Sequence, residues 1–155
     1  MSYWLLKSEP DTFGIGHLAK APRKTAAWDG VRNYQARNML RDDMKKGDQA
    51  FFYHSSCEVP GIVGIVSIAK GGYPDTTAFQ RGHHHYDADS DPKNPRWFMV
   101  DVRLERVFAR AVTLDELRAY AGGPLKDMIL LRKGSRLSVM PVTKSEWQFI
   151  LGLAS

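Results

Sequence analysis

The sequence predicts an α+β domain in which roughly five or six short strands form a small curved sheet or a partly open β-barrel, with peripheral helices. Two observations favour this fold class. Aromatic and glycine-rich turns separate the apolar strands, and strands and helices do not alternate regularly. The irregular order disfavours a parallel doubly wound sheet. With 155 residues, 43% of them hydrophobic, the chain is expected to form one domain, residues 1–155, with its own core.

Charge and cysteine content narrow the class of function. The chain has 22 Lys and Arg residues against 17 Asp and Glu residues, a net charge of +5. This mild excess attracts polyanions such as nucleic acid but does not require one as a partner. The single cysteine, Cys57, excludes an intramolecular disulfide, and neither a signal sequence nor a membrane-spanning run is evident. We therefore expect a cytoplasmic protein without a membrane anchor.

The N-terminal third is predicted to contain one strand and two helices. A strand over residues 3–8 is closed by Pro10, and a short helix follows Asp11 and Thr12, which are suitable N-cap types. Asn33 is expected to cap an amphipathic helix. Basic residues recur four apart on one face of that helix, at Arg37, Arg41 and Lys45.

Two further strands and a long loop are predicted in the middle of the chain. In residues 49–55, alternation places Phe52 and His54 on one side of the strand. A β-branched run over residues 62–69 indicates a central strand with a bulge at Gly64. Residues 71–95 have the composition of a surface loop or flap. The flap carries three consecutive histidines, whose spacing matches no structural zinc pattern, so we predict no metal: His83, His84 and His85.

The C-terminal part is predicted as strand, helix, strand and helix. The first strand covers residues 97–107, and a capping box at Thr113 opens the next helix. The last strand covers residues 136–142 until Pro141 ends its pairing, and a second capping box at Thr143 opens the last helix. The predicted buried residues of the two helices are Leu114, Leu117 and Ala121, then Trp147, Ile150 and Leu151.

The densest group of candidate binding residues is the segment WDGVRNYQAR, residues 28–37. It combines an indole, a phenol, two side-chain amides and two guanidinium groups. Such groups can stack a nucleobase, hydrogen-bond its edge and neutralise its phosphate. The alternative is that Trp28 and Tyr34 are core residues flanking the start of a helix.

Several strings along the chain resemble the EVE-domain family of the PUA-like superfamily. They are YWLLKSEPDTF, WDGVRNYQARNML, GDQAFFYHSS, GIVGIVSIAKGGYPD, NPRWFMVDV, MILLRKGSRLSVMPV and the closing EW. The resemblance covers nearly the whole chain. It implies a PUA-like barrel with helices at its rim and a pocket related to that of YTH domains, which read methylated adenine in RNA. It further implies recognition of a modified base, such as 5-methylcytosine, in DNA or RNA.

The resemblance also implies a set of pocket residues and no cofactor. Two parts of the chain, GIGHLAKA and the histidine-rich flap, depart from the family pattern. The absence of a basic N-terminal extension predicts a bacterial-type, stand-alone domain, and a monomer is expected. The implied ligand-binding residues are Lys7, Ser8, Trp28, Asn33, Tyr34, Gln35, His54, Ser55, Arg132 and Ser138.

Three functions are compatible with these residues. The first is a non-enzymatic reader that flips one modified base into a pocket. The second is an enzyme acting on a nucleotide or small amide, with His54 as base beside Ser55 or Lys7. Adjacent strand residues point to opposite faces, so His54 and Ser55 cannot form a simple nucleophile and base pair. The third is an adaptor that binds an acidic protein through the basic helix face.

Overall fold

A mixed sheet of six strands forms the centre of the protein in a computed structural model, which describes residues 1–133 and 137–154. The strand order is β2-β5-β4-β3-β1-β6. In the described residues β2 and β6 are edges, so the sheet does not close into a barrel. The α+β prediction is confirmed. The strands are β1 (Tyr3–Ser8), β2 (Thr25–Trp28), β3 (Gln49–His54), β4 (Gly61–Pro74), β5 (Phe98–Thr113) and β6 (Val139–Val142).

Short helices and turns surround the sheet. Within the described ranges, no helix is long and apolar enough to span a membrane. The α-helices are α1 (Pro10–Phe13), α2 (Ile15–Lys20), α3 (Tyr34–Asn38), α4 (Leu114–Arg118) and α5 (Lys144–Ala154). A π-helical turn over Met39–Asp43 continues α3, and 3-10 turns cover Pro22–Lys24, Thr76–Phe79 and Ile129–Leu131.

The pairing of β1 with β3 brings two polar strand ends together. These strands are parallel, with Leu6 opposite Phe52 and Ser8 opposite His54. The carboxyl ends of parallel strands lie at the same edge of a sheet, so residues 7–9 and 54–55 are neighbours. The remaining strand pairs are antiparallel. A pocket lies at this edge of the sheet.

The sheet separates two apolar clusters, as the alternation in residues 49–55 predicts. Phe52 lies in a cluster with Trp4 and Trp28 on one side. Phe51 lies in the second cluster, where its ring stacks on Trp147 with centroids 3.9 Å apart. Both helix α5 and strand β3 therefore bury the faces that their sequence periods indicate.

The predicted flap begins later than its composition suggests. Residues 71–74 belong to β4, since Tyr73 and Pro74 pair with Met99 and Phe98 of β5. The Tyr73 hydroxyl donates to Asp101. Glycine and proline reduce strand propensity, but pairing with a long neighbouring strand overrides that preference. For the same reason β5 runs on to residue 113 instead of ending at 107.

Residue types that favour helix caps predicted some helix boundaries correctly and others wrongly. Asn33 caps α3, because its Oδ1 accepts from the Ala36 amide at 3.0 Å. The N-cap of α1 is Glu9 rather than the predicted Asp11 or Thr12. Pro10 occupies the first helical position, where proline loses no hydrogen bond. The prediction that Ala121 is buried is wrong, because α4 ends at residue 118.

The bulge and last-strand predictions also had mixed outcomes. The register of β4 against β5 shifts at Gly64, so the predicted bulge is confirmed. Pro141 does not end the last strand, since it pairs opposite Trp4 within β6. An edge strand tolerates proline because its nitrogen can face away from the only partner. The predicted start of this strand, at residue 136, lies outside the described residues.

Candidate functional site

An open pocket of about 590 Å³ lies where the ends of β1 and β2 meet the histidine-rich segment. Strand β1 and the turn after it contribute Lys7, Ser8 and Glu9. Residues 27–32 form a second wall, and residues 83–85 form a third. Apolar and charged groups therefore face the same space, which suits a ligand with a flat ring and a polar edge.

Trp28 borders this pocket while it belongs to the core. Its side chain is only 7% exposed. The indole packs edge-on against Phe52, with ring centroids 5.3 Å apart, and against Phe13 at 6.2 Å. Trp28 is therefore both a core residue and a pocket residue, because the buried indole presents part of its surface to the cavity.

Asp75 fixes the second wall of the pocket, residues 27–32, through hydrogen bonds. Its side chain is fully buried and accepts hydrogen bonds from the Gly30 amide at 2.8 Å and from Arg32 at 3.1 Å. The Thr77 amide donates at 2.9 Å and the Thr77 hydroxyl at 2.5 Å. Burial alone would raise the pKa of Asp75, but hydrogen bonds from Thr77, Gly30 and Arg32 together hold it below its ordinary value. A buried carboxylate with four donors fixes the turn at residues 29–32.

Arg32 connects that turn to the histidine-rich segment. One guanidinium nitrogen donates to Asp75, and the other donates to the His85 carbonyl at 2.5 Å. The guanidinium also lies over the Trp97 ring, 5.4 Å from its centroid. Arg32 is therefore engaged in holding the pocket walls together, and its fixed planar geometry suits that task.

The close packing of Gly30 and His85 shapes the third wall. Gly30 has a φ of +74°, a conformation that favours glycine. A Cβ at this position would overlap the His85 imidazole. The His85 Nδ1 lies 3.7 Å from Asp29 Oδ1 and 3.4 Å from Thr77 Oγ1. Glycine is thus required here both by backbone conformation and by the approach of the ring.

The His85 imidazole is held in its neutral form. Burial is the largest cause that lowers the pKa of His85, and the nearby Asp29 carboxylate opposes it. Charges on His84, His83 and Arg32 lower this pKa further. The neutral form of the His85 imidazole is therefore favoured at neutral pH.

The three histidines are close enough to share one transition-metal ion. Their ligand nitrogens lie within 4.8 Å of one another. His83 Nδ1 already accepts the His85 amide at 3.0 Å, so only its Nε2 is available without a change in backbone contacts. The sequence-based expectation that no metal takes part stays a prediction.

Four of the predicted binding residues line the pocket, and the hydrogen bonds of β1 position two of them. The Ser8 hydroxyl donates to the Phe13 carbonyl at 2.8 Å. The Lys7 amide donates to the Ser138 carbonyl at 2.8 Å, which joins β1 to the residue before β6. Burial lowers the pKa of the Lys7 amine. The four lining residues are Lys7, Ser8, Trp28 and Ser138.

The predicted residues of helix α3 lie outside this pocket. Asn33 uses its side chain to cap the helix, and Gln35 is exposed. Tyr34 is 53% exposed, and its ring stacks on Trp97 with centroids 4.9 Å apart. In this segment the pocket lining ends at Arg32, so none of these three residues contributes to it.

His54, Ser55 and Arg132 also lie apart from the pocket. The His54 Nε2 accepts from the Ile15 amide at 3.1 Å, and burial lowers the pKa of this imidazole. The Ser55 amide donates to the Ser8 carbonyl at 2.9 Å. Arg132 lines a second cavity, of about 470 Å³, to which Lys7 also contributes.

Local sequence patterns do not indicate the residues that assemble the walls of the pocket. Asp75 gave no signal, because an aspartate after Tyr-Pro is usual in exposed turns. In the sequence, Gly30 indicates only a turn, although a glycine can also mark the close approach of another group. The contribution of His85 depends on contacts across more than fifty positions in the chain, which local patterns do not reveal.

Comparison with known proteins assigns the family. The open mixed sheet with a pocket at its strand ends is a PUA-like fold, as the resemblance implied. The EVE domain profile matches residues 2–153, and the chain belongs to the EVE domain family. Thymocyte nuclear protein 1 of Mus musculus is 49% identical over 98% of this chain and 73% of that protein. The Homo sapiens protein of the same name is 47% identical with the same coverage.

Solved structures agree with this assignment. Human THYN1 protein in complex with 5-methylcytosine containing DNA is 46% identical and matches with a TM-score of 0.95. The match covers 100% of this chain and 98% of that chain. A protein from Pseudomonas syringae is 47% identical with a TM-score of 0.93, over 99% of this chain and 100% of that chain.

Proposed function

We propose that this protein binds nucleic acid by taking one modified base, of the 5-methylcytosine class, into the pocket between Trp28 and His85. The observation that carries the proposal is the pocket itself, which combines the indole surface of Trp28, the imidazole of His85 and the polar residues Ser8 and Asp29. The human relative solved with 5-methylcytosine containing DNA supports the choice of base. Because Trp28 and Gly30 are fixed by the core and by Asp75, the pocket is formed before ligand arrives.

The apolar part of the pocket can select a methyl group. Phe13, Trp28 and Val31 line it, and the last two are less than 10% exposed. One methyl group in an apolar pocket changes binding by about 1–3 kcal/mol, or about 10–200-fold in affinity. Polar groups at the rim, including Lys7 and Asp29, are available for the hydrogen-bonding edge of the base.

The hydroxyl groups near the pocket support binding rather than catalysis. The Ser8 hydroxyl donates to a backbone carbonyl, which cannot act as a general base. The Thr77 hydroxyl donates to Asp75, and the low pKa of this carboxylate makes it a weak base. His54 is engaged with the Ile15 amide. We therefore propose a binding protein without enzymatic activity.

The basic face of helix α3 is poorly suited to an adaptor role. Arg37 donates to the Arg96 carbonyl at 2.8 Å, and Arg41 pairs with Asp42 at 2.8 Å. Lys45 donates to the Asp42 carbonyl at 2.9 Å. Local partners already satisfy these cations, so an acidic protein would gain little by replacing them.

Cellular setting and assembly are also proposals. The free thiol of Cys57 supports a reducing, cytoplasmic setting, the similar protein from Pseudomonas syringae supports a bacterial-type domain, and we propose a monomer. Sedimentation of the purified protein tests the monomer, which should remain a single species of 17.5 kDa as its concentration rises.

A panel of short oligonucleotides tests the proposed function. It contains DNA and RNA strands that differ only in one base, either unmodified or methylated on cytosine or adenine. We expect the 5-methylcytosine strand to bind about 10-fold or more tightly than its unmodified twin. Equal affinity for every member of the panel would contradict the proposal, and preference for a methylated RNA strand would move the ligand from DNA to RNA.

A further inference from the structure

A second cavity adjoins the pocket and carries a concentration of positive charge. Its volume is about 470 Å³. Strand β1 separates it from the pocket, and Lys7 lines both. The cationic residues around the cavity are Lys7, Arg118, Arg132 and Lys133, and Tyr53 and Leu130 complete its wall.

These cations lack strong partners in the described part of the protein. In the ranges 1–133 and 137–154, no ion pair engages Lys7, Arg132 or Lys133. Arg118 approaches Asp115 at 3.9 Å, but the Asp115 side chain is 97% exposed, so water screens this pair. No carboxylate lines the cavity in the described part of the chain. Four like charges around one space repel one another until an anion enters.

Tyr53 adds a neutral hydrogen-bond donor to the cavity. The residue is 3% exposed, and burial raises the pKa of its hydroxyl to about 12, although the nearby Arg118 acts in the opposite direction. The hydroxyl therefore stays protonated at neutral pH. The Lys7 amine lies 5.8 Å from the Tyr53 ring centroid, so the two groups face the same cavity.

We propose that this second cavity binds a backbone phosphate of the strand whose base enters the pocket between Trp28 and His85. The inference rests on the proposed function and adds a separate phosphate site to it. A base and its flanking phosphate are separated by one sugar, and the two cavities are separated by the single strand β1 at Lys7. Guanidinium groups bind two phosphate oxygens at once, and ammonium groups act as point charges.

This site explains why Arg132 lies outside the pocket although the family motif contains it. Arg132 and Lys133 precede residues 134–136, and Ser138 follows them at the pocket. Residues close to one another in the sequence therefore line both cavities. Phosphate contacts fix the position of a strand, whereas base contacts specify it, so the two cavities divide these roles.

Arg132→Ala tests the phosphate site, with Arg103→Ala as the control. Arg132 is exposed and Arg103 is 58% exposed, so both variants should fold, which thermal melting verifies. Arg103 lines neither cavity. Affinity is measured for a 5-methylcytosine single strand, for the free 5-methylcytidine nucleoside and for inorganic phosphate, over a range of salt concentrations.

We expect Arg132→Ala to weaken strand binding about 5- to 10-fold and to reduce the log-log salt slope by about 0.7, the value for one phosphate contact on a single strand. Nucleoside affinity should not change. A methylphosphonate at one linkage beside the modified base should remove the difference between the variant and wild type. Arg103→Ala should bind like wild type.

Three outcomes would overturn the phosphate site. The first is an equal weakening of strand binding by Arg132→Ala and Arg103→Ala, which would indicate that both act only through the overall positive electrostatic field of the protein. The second is an Arg132 effect that persists at every methylphosphonate position. The third is tight binding of inorganic phosphate by wild type without competition from the strand, which would indicate a free-phosphate site. If strands bind without base preference yet one linkage still removes the Arg132 effect, the phosphate site stands and the proposed base-reading function fails.

Discussion

The Asp75 carboxylate accepts the Gly30 amide at 2.8 Å and so joins the end of β4 to the turn after β2. Asp75→Asn keeps the shape but loses the charge that Arg32 and Thr77 engage. We expect it to lower the free energy of unfolding by about 1–3 kcal/mol, because buried donors lose their acceptor. Denaturant midpoints measure the change.

The matched control for Asp75 is Asp115→Asn. The Asp115 side chain is 97% exposed and lies 3.9 Å from Arg118, so its substitution should change stability by less than about 0.5 kcal/mol. Equal effects of the two substitutions would show that Asp75 does not hold the pocket wall.

The second prediction concerns Gly30. Gly30→Ala should destabilise the protein by more than the roughly 1–2 kcal/mol that a left-handed conformation costs, because the added Cβ also overlaps His85. Gly47→Ala isolates the conformational part, since its φ is +95° and no atom lies near the added Cβ. Unfolding by heat or denaturant ranks the variants.

A double variant separates the two costs at Gly30. Adding His85→Ala to Gly30→Ala removes the overlap, so the double variant should lose less stability than the sum of the two single losses. Simple additivity would mean that the ring does not constrain this glycine. Gly122→Ala, which has ordinary φ and open space, should be close to neutral and checks the baseline.

The third prediction concerns acid sensitivity. Burial lowers the pKa of His54 below its ordinary value of 6.5, while in the unfolded chain it titrates near that value. Below about pH 6.5 the unfolded state therefore binds more protons than the folded state, and stability falls as pH decreases through the folded pKa. His54→Gln, which keeps an acceptor for the Ile15 amide, should flatten this fall.

The control for His54 is His84→Gln, because His84 is an exposed histidine. Its curve of unfolding free energy between about pH 7.5 and about pH 5 should follow wild type. An unchanged acid response in His54→Gln would assign the response to another group, of which His85 is the next candidate.

The fourth prediction concerns the stability contributed by Trp28. Because this indole is 7% exposed and packs on Phe52, Trp28→Ala should cost about 3–5 kcal/mol, as expected for emptying a core aromatic. A stacking platform outside the core would lose less stability than this. Trp147→Ala, in the second cluster, should cost a similar amount. A loss at Trp28 well below that at Trp147 would contradict its place in the core.

Repeating patterns made much of the fold predictable. The alternation of Phe51 and Phe52 assigned them to opposite faces, and Asn33 and Thr143 marked helix starts that the structure contains. These signals act within a few residues, so a single sequence displays them. Strand lengths were less predictable, because the end of β4 depends on pairing with β5, far along the chain.

The pocket was less predictable than the fold. Trp28 was identified because indole, amide and guanidinium groups cluster around it in the sequence. Its neighbours Tyr34 and Gln35 lie on the outer surface of α3, because a helix places successive side chains about 100° apart. Asp75 and His85 enter through contacts between distant segments, which composition and spacing do not reveal.

The most direct test of the account is the ratio of affinities for two single strands that differ only by a methyl group on one cytosine. Wild type should prefer the methylated strand about 10-fold or more. Trp28→Phe keeps an aromatic core but alters the pocket surface, so its ratio should fall toward one. Tyr34→Ala removes an exposed ring outside the pocket, so its ratio should match wild type. A wild-type ratio of about one, or a ratio lost in Tyr34→Ala and kept in Trp28→Phe, would contradict the assignment of the base to this pocket.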